Sequence, residues 1–400
     1  MMHLFLNGLA ASAGAGLTYF RNVVPELSGR SGTQITVALT PKIRREFKQA
    51  PKVSFLELET SSVARRFWQE QTRLPSLIQS CGADVLISTG NFALRNSPVP
   101  QILLSGNSLY TSAEFYRDLR ARGDYRLFLD TRIKAILAKR SIQWANCTVA
   151  PTETYAQELR RWTGGNVVSI YHGFDPDLFF RDSSSLPVEI QQKLLSEDGA
   201  LRLLFVSHYN YYRNFETLLR AIPMLRDRVA PRKVKLFLTC KLSSGENPGS
   251  YRTEAAASLV RQLGISDQVV ELGAIPYHLL HHIYRNCDIY VTPAYAETFA
   301  HPLVEAMASG IPVVASDLDV HLEVCGEAAI YFRCFSPEEL AAQVLRIAFS
   351  QVLARTLADH GLLRSQIFSW RNHVDRILSL ACELTASSAS GTRAAPEQNA

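Results

Sequence analysis

One stretch of about thirty residues constrains this chain more than any other. It runs from Asp288 to Asp317 and reads D-I-Y-V-T-P-A-Y-A-E-T-F-A-H-P-L-V-E-A-M-A-S-G-I-P-V-V-A-S-D. It opens on a short apolar run, residues 289–292, closed by Pro293, and ends on another, residues 311–315, preceded by Gly310. Both read as buried strands. Between them Pro302 suits the first turn of a helix, where its missing N–H costs nothing, and Gly310 stops that helix. The spacing therefore predicts a helix over residues 302–309 that begins where a strand has just ended.

A helix N-terminus presents unpaired N–H groups and partial positive charge, so the loop Thr298 to Pro302, with Phe299, Ala300 and His301 in it, is a place to hold a phosphate, carried also by the N–H groups near Leu303 and Val304. Glu297 stands before the loop and Glu305 follows on the helix. An ionised carboxylate accepts hydrogen bonds from vicinal hydroxyls of a ribose or hexose. Carboxylate, phosphate cradle and carboxylate together suit a nucleotide-sugar; two solvated acids, one in a loop and one at a helix start, are the alternative that spacing alone leaves open.

A length of 400 residues suits two domains, and 47% hydrophobic with 20% charged residues is the composition of a globular protein with ample core. No segment reaches the roughly 18 uninterrupted apolar residues of a membrane span. Residues 1–17 lack a basic lead and carry Asn7 and Gly8 early, so they read as a first strand and glycine loop instead of a signal peptide. The seven cysteines are scattered without a C-x-x-C pair, which fits buried thiols in a reducing compartment. Charge is uneven: residues 1–170 hold 21 Lys and Arg against 12 Asp and Glu, while the remainder hold 21 against 25. The first half is expected to face something acidic.

Strand and helix patterns alternate along both halves, with strands expected at residues 3–6, 35–39, 53–58, 84–88, 101–104 and 146–150, and again at 201–206, 233–239, 269–272 and 328–332. Helices are expected over residues 62–81, 116–140, 216–225, 254–263 and 338–349. After the first strand, Gly14 and Gly16 supply G-x-G, but Tyr19 occupies the third glycine position and no acid ends the next strand, so the dinucleotide fingerprint fails. Residues 41–52 and the eight Lys or Arg between Arg117 and Arg140 read as solvated faces, with contact to an anionic membrane as the alternative. Residues 385–400 have no periodicity and read as a disordered tail.

The central stretch resembles the E-x7-E signature of the family 4 retaining glycosyltransferases, in the two acids and also in Pro302, Glu305 to Gly310 and Pro312 to Ala315. That resemblance implies an α/β GT-B fold, two facing Rossmann-like domains with a deep cleft. It puts an acceptor-binding domain at residues 1–172, rejoined by a helix over 370–384, and a nucleotide-sugar domain at 173–369. It implies transfer of a hexose from a nucleotide-diphospho-sugar to an acceptor hydroxyl, with retention of configuration and no cofactor or metal, in polysaccharide or glycolipid synthesis. Glu297 would orient the donor sugar and Glu305 would hold ribose hydroxyls. His208 and Arg213 stand where the family has an arginine and a lysine for the diphosphate, Ile275 lies where its chain passes the base, and Gly16 ends the matching glycine loop. Asn107 falls near a position where many members carry histidine. The implied partners are the nucleotide-sugar and a glycan or lipid-linked acceptor, with no nucleic acid, at the cytoplasmic face of a membrane. A non-catalytic sugar-nucleotide-binding or membrane-adaptor protein is the rival reading.

Other chemistry finds little support. Asp175-Pro176-Asp177 and Asp317-Leu318-Asp319 read as turn acids, and His278, His281 and His282 as surface histidines, not metal ligands. There is no Walker pattern and no Gly-x-Ser-x-Gly elbow.

Overall fold

The computed structural model describes residues 1–11, 15–48, 51–60, 62–195, 199–247, 249 and 251–391. The chain divides into two compact units, one of residues 1–111, 129–173 and 369–400, the other of residues 112–128 and 174–368. Segment 112–128, assigned to the first domain from sequence, packs with the second unit. The reason is a pair of polar ties: Arg122 donates to Glu216 at 2.9 Å, and Tyr295 donates to Asp118 at 2.8 Å.

The first unit is built on a seven-stranded sheet. Its strands are β1 (Met2–Asn7), β2 (Thr33–Leu39), β3 (Val53–Glu57), β4 (Val85–Ser88), β5 (Gln101–Leu104), β6 (Cys147–Ala150) and β7 (Val167–Ser169), in the order β3-β2-β1-β4-β5-β6-β7. Every pairing is parallel. The runs are largely apolar, as expected where helices cover both faces of a parallel sheet. Its main core gathers Leu4, Leu6, Ile35, Val37 and Val85 from strands with Leu17, Phe20, Val23, Val24 and Leu27 of the helix Ala15–Ser28. The helix Trp370–Gly391 adds Trp370, Val374, Ile377 and Ala381, spaced four, three and four apart and so on one face.

The second unit holds a six-stranded parallel sheet of β8 (Leu201–Phe205), β9 (Val234–Leu238), β10 (Val269–Glu271), β11 (Ile289–Thr292), β12 (Val313–Ser316) and β13 (Ala329–Phe332), in the order β10-β9-β8-β11-β12-β13. Strand order reverses between β8 and β11. In open parallel sheets that reversal leaves a crevice at the carboxyl ends of the two strands. Two Rossmann-like parallel sheets are the α/β architecture that the resemblance implies.

Four local expectations need correction. The single helix over residues 62–81 is two, Val63–Thr72 and Leu74–Ser80, because Pro75 opens a new first turn. The helix over 116–140 is also two, Ala113–Ala121 and Tyr125–Trp144, parted by Gly123 at φ 64°. Helix Val188–Leu195 lies in the stretch read as a connection. Residues 385–391 continue the last helix, where the Thr385 hydroxyl donates to the Ala381 carbonyl at 3.1 Å and that of Ser387 to Glu383 at 2.8 Å, so these small polar residues bond back along the helix. The rest of the expected tail, 392–400, lies outside the described residues, as does Gly14 of the glycine loop.

Gly173 sits where a Cβ would collide with the backbone nitrogen and Cα of Trp370. Backbone atoms cannot swing aside as a side chain can. Gly173→Ala is expected to cost about 3 kcal/mol by overpacking, whereas Gly106→Ala, which meets nothing within 4 Å, should stay within about 0.5 kcal/mol of wild type. Urea unfolding of the two variants checks this; equal midpoints would refute it.

Candidate functional site

The loops after β8 and β11 meet at the reversal of strand order. After β8 a single 3₁₀ turn, Tyr211–Arg213, ends on Asn214 in the left-handed region at φ 54° and ψ 46°. Asparagine tolerates that conformation because its short side chain bonds locally. Here its amide does so in both directions, donating to the Pro293 carbonyl at 3.0 Å and accepting from the Thr217 hydroxyl at 2.8 Å. A second tie joins the Tyr295 N–H to the Tyr212 carbonyl at 3.0 Å. These bonds hold the β8 turn against the β11 loop.

Held in this way, Arg213 and Glu297 form an ion pair, with side chains only 19% and 10% exposed. The Arg213 guanidinium also stands 5.2 Å from the centre of the Tyr212 ring. His208, exposed on the same turn, has its imidazole held below its ordinary value by partial burial and by the Arg213 charge, so it is neutral near pH 7. A neutral ring brings one N–H donor where the family has a full cation.

The helix expected over residues 302–309 spans His301–Ala308 and stops at Gly310, φ 69°. Ala300 precedes it at φ 62° and ψ 66°, a conformation that costs a non-glycine residue about 1 kcal/mol. Its strain turns the chain sharply from the Glu297 loop into the helix. Buried Phe299 anchors the turn, its ring edge-on to Phe368 at 5.3 Å and to His301 at 4.9 Å. Burial pushes the His301 imidazole down to about 4. The Leu303 N–H is engaged with the Ala300 carbonyl at 2.9 Å. That bond closes the first turn, so Leu303 cannot offer an undivided N–H to a phosphate, and both Leu303 and Val304 are buried side chains beneath the helix end.

Glu305 is 5% exposed and lies among three tyrosines. The Tyr284 hydroxyl donates to Glu305 Oε2 at 2.8 Å and lies 3.3 Å from the Pro302 carbonyl. Burial pushes the Glu305 carboxyl up to about 7, against the pull of the Tyr284 bond. The phenols of Tyr277 and Tyr290 both sense it, for Glu305 adds to the burial that raises each. Tyr290 also feels Arg213, which pulls its phenol the opposite way. It is thus a neighbour of both, and the ion pair and the buried acid belong to one locality.

His321 completes it and was not singled out from sequence. It is fully buried, its Nδ1 3.0 Å from the Ser316 hydroxyl and 3.1 Å from the Ser316 carbonyl, while Nε2 has no hydrogen-bond partner. Burial, reinforced by Arg213, pushes it down to about 4 against the Ser316 carbonyl bond. Neither His321 nor the tyrosines stands in a spacing pattern that would announce it.

The other expected residues, Ile275, Gly16 and Asn107, stand on other elements. Ile275 is half-buried in the loop after β10, the edge strand of the sheet. Gly16 is exposed in the first turn of helix Ala15–Ser28 in the first unit, and a Cβ there would make ordinary contacts with Ala11 at 3.6 Å. The close approach in that region is at Gly8, where a Cβ would meet Leu39 at 2.6 Å and Phe20 at 2.7 Å. Asn107, also in the first unit, spends its side-chain oxygen on the Leu109 N–H at 3.1 Å, capping the 3₁₀ turn Ser108–Tyr110. Among the described residues no group of three or more His, Cys, Asp or Glu gathers as a metal site, and no helix is long and apolar enough to cross a membrane.

Glu305 makes stability depend on pH. Its carboxyl binds a proton more tightly folded than unfolded, so its contribution is full below the unfolded value near 4.5 and is lost as pH rises through about 7. The loss amounts to about 3 kcal/mol. Urea unfolding between pH 4 and 8 should show this downward slope in the wild type and its removal in Glu305→Gln; parallel profiles would refute it.

The chain is similar to several known proteins. Residues 188–360 match the family model described as glycosyl transferases group 1. An uncharacterized glycosyltransferase of Methanocaldococcus jannaschii is 30% identical over 156 residues, 39% of this chain and 37% of that protein. A D-inositol 3-phosphate glycosyltransferase of Corynebacterium jeikeium is 25% identical over 293 residues, 72% of this chain and 68% of its own length. The chain thus spans little more than a third of the first relative and about two thirds of the second. The solved structure of Anabaena HepE in complex with UDP-glucose superposes with a TM-score of 0.69 at 17% identity, over 96% of this chain and all of that one, a likeness of fold. Residues 188–360, all within the second unit, are thus similar to the glycosyl transferases of group 1.

Proposed function

We propose that this protein transfers a sugar from a nucleotide-diphospho-sugar to an acceptor hydroxyl, with retention of configuration. The observation that carries the reading is the Arg213–Glu297 pair at the strand-order reversal, next to the amino end of helix His301–Ala308. Arg213 is a two-pronged donor for a diphosphate, and Glu297 is an acceptor for sugar hydroxyls. Glu305 would receive the ribose hydroxyls. That a relative in fold was solved with UDP-glucose supports a donor of this class.

The chemistry breaks the bond from the sugar's anomeric carbon to the diphosphate and forms one to the acceptor oxygen, releasing nucleoside diphosphate and a proton. Negative charge builds on the departing diphosphate, so fixed positive groups there contribute most. The Arg213 guanidinium and the helix end supply them, and His208 adds a neutral hydrogen-bond donor. In this reading Glu297 plays two parts: it holds Arg213 in place before the donor arrives and exchanges that contact for sugar hydroxyls afterwards. The acceptor would be bound by the first unit, in the synthesis of a glycan or glycolipid, with the protein at the inner face of a membrane.

The test is a panel of UDP-, GDP- and ADP-sugars, scored by thermal stabilisation and by nucleoside diphosphate release. At a hundredfold excess over Kd the matching donor should stabilise by about 2.7 kcal/mol. Arg213→Gln should weaken nucleoside diphosphate binding at least about tenfold. Glu297→Gln should keep nucleotide binding while transfer falls about a hundredfold or more. Wild-type transfer by Glu297→Gln, or no stabilisation by any nucleotide, would overturn the reading.

A further inference from the structure

The first unit contains a cavity of about 590 Å³ that no part of the donor site uses. Its wall is made by the loops that follow β1, β2 and β3, three adjacent parallel strands, together with the start of helix Val63–Thr72. The carboxyl ends of parallel strands are where α/β sheets bind ligands. A volume of this order suits a sugar-sized molecule carrying a charged group.

The charge in the wall is one-sided. Lys42 comes from the loop after β2, Arg65 and Arg66 from the first turn of the helix, and Glu59 is the one acid lining it. Hydroxyls of Thr40, Thr60 and Ser62 stand among them. Ser62 caps the helix by accepting from the Arg65 N–H at 3.1 Å, which fixes the helix start in the wall. Arg66 is only 16% exposed, and its Nε is buried without a hydrogen-bond partner, 3.8 Å from Glu70 Oε1. The Glu70 carboxylate beside that buried guanidinium fixes Arg66 in the wall, while Lys42 and Arg65 bring exposed cations to it. Glu70 also accepts from the Asn7 amide at 3.2 Å.

We infer that this cavity binds a phosphate-bearing group, held by Lys42, Arg65 and Arg66 and by the hydroxyls beside them. Three cations on separate stems converge on a tetrahedral dianion better than on a planar carboxylate, which one arginine fork satisfies. Within the proposed function this names the acceptor class, a phosphorylated acceptor, and to that extent it rests on that reading. The shared chemistry is a phosphate ester, whether of a soluble metabolite or of a lipid headgroup.

The experiment uses the full chain with saturating UDP, so that the donor site is filled. Glycerol 1-phosphate is titrated by calorimetry, and vesicles of phosphatidic acid in phosphatidylcholine are tested by sedimentation. Lys42 and Arg65 are exposed, so Lys42→Gln/Arg65→Gln should fold; exposed Arg161→Gln is the control. The double variant should lose at least about tenfold in affinity for glycerol 1-phosphate, for the vesicles, or for both, with the control unchanged. Loss for glycerol 1-phosphate identifies a soluble ester, and loss for vesicles alone identifies a headgroup. Unaltered binding of both probes by the double variant, or no binding of either by the wild type, overturns the inference. UDP binding is read separately in the same samples: its failure would count against the proposed donor site and leave the phosphate measurement standing.

Discussion

The second unit depends on two parallel strands being neighbours. β8 and β11 pair at Ile289 with Leu203 and Tyr290 with Leu204, and their order reverses there, so the following loops diverge to opposite sides and then face each other. Arg213 arrives on one loop and Glu297 on the other. Breaking a buried ion pair by removing one partner costs several kcal/mol, so the pair fixes the loops relative to each other as firmly as they fix it. The Asn214 amide and the Tyr295 N–H close the join on either side. Segment 112–128 then braces the same turn, through Arg122 on Glu216 and Phe115 edge-on to Tyr212 at 6.2 Å.

Much of this was legible because buried parallel strands leave a strong mark. Residues 101–104 and 289–292 match β5 and β11 residue for residue, since each is a continuous apolar run bounded by turn chemistry. β7, three residues long and half-buried, leaves no such run and was missed. Helix breaks were harder, because Gly123 and Pro75 interrupt patterns whose apolar period continues past them. The two acids and Arg213 could be read because their neighbours in sequence carry a signature. The nest around Glu305 could not, for Tyr277, Tyr284 and Tyr290 come from three separate elements and meet only through folding.

Asn107 illustrates a different limit. A sequence position marks where a residue stands in the chain, not what its side chain is already doing. Its amide oxygen caps a 3₁₀ turn, a duty any short polar acceptor could perform and a histidine would perform less well. The departure from the family pattern thus has a local structural reason, independent of any part in the reaction. Gly16 is similar: the steric demand for glycine in that neighbourhood falls on Gly8, against Leu39 and Phe20.

The two units also hold charge in opposite ways. In the second, Arg213 is half-buried and already paired, so on the proposed donor reading an incoming diphosphate would displace a carboxylate, and the net gain would be the difference between two strong interactions. Such a site discriminates: a ligand that lacks hydroxyls to satisfy the released Glu297 leaves a buried acid unpaired and pays for it in affinity. In the first, the cavity wall carries Lys42, Arg65 and Arg66 against Glu59, and Lys42 and Arg65 are exposed, so an anion there would be attracted from solvent. That arrangement draws a ligand at long range and is weakened by salt. On the two proposals together, selectivity would be concentrated where Arg213 and Glu297 must part, and capture where Lys42 and Arg65 are exposed to solvent.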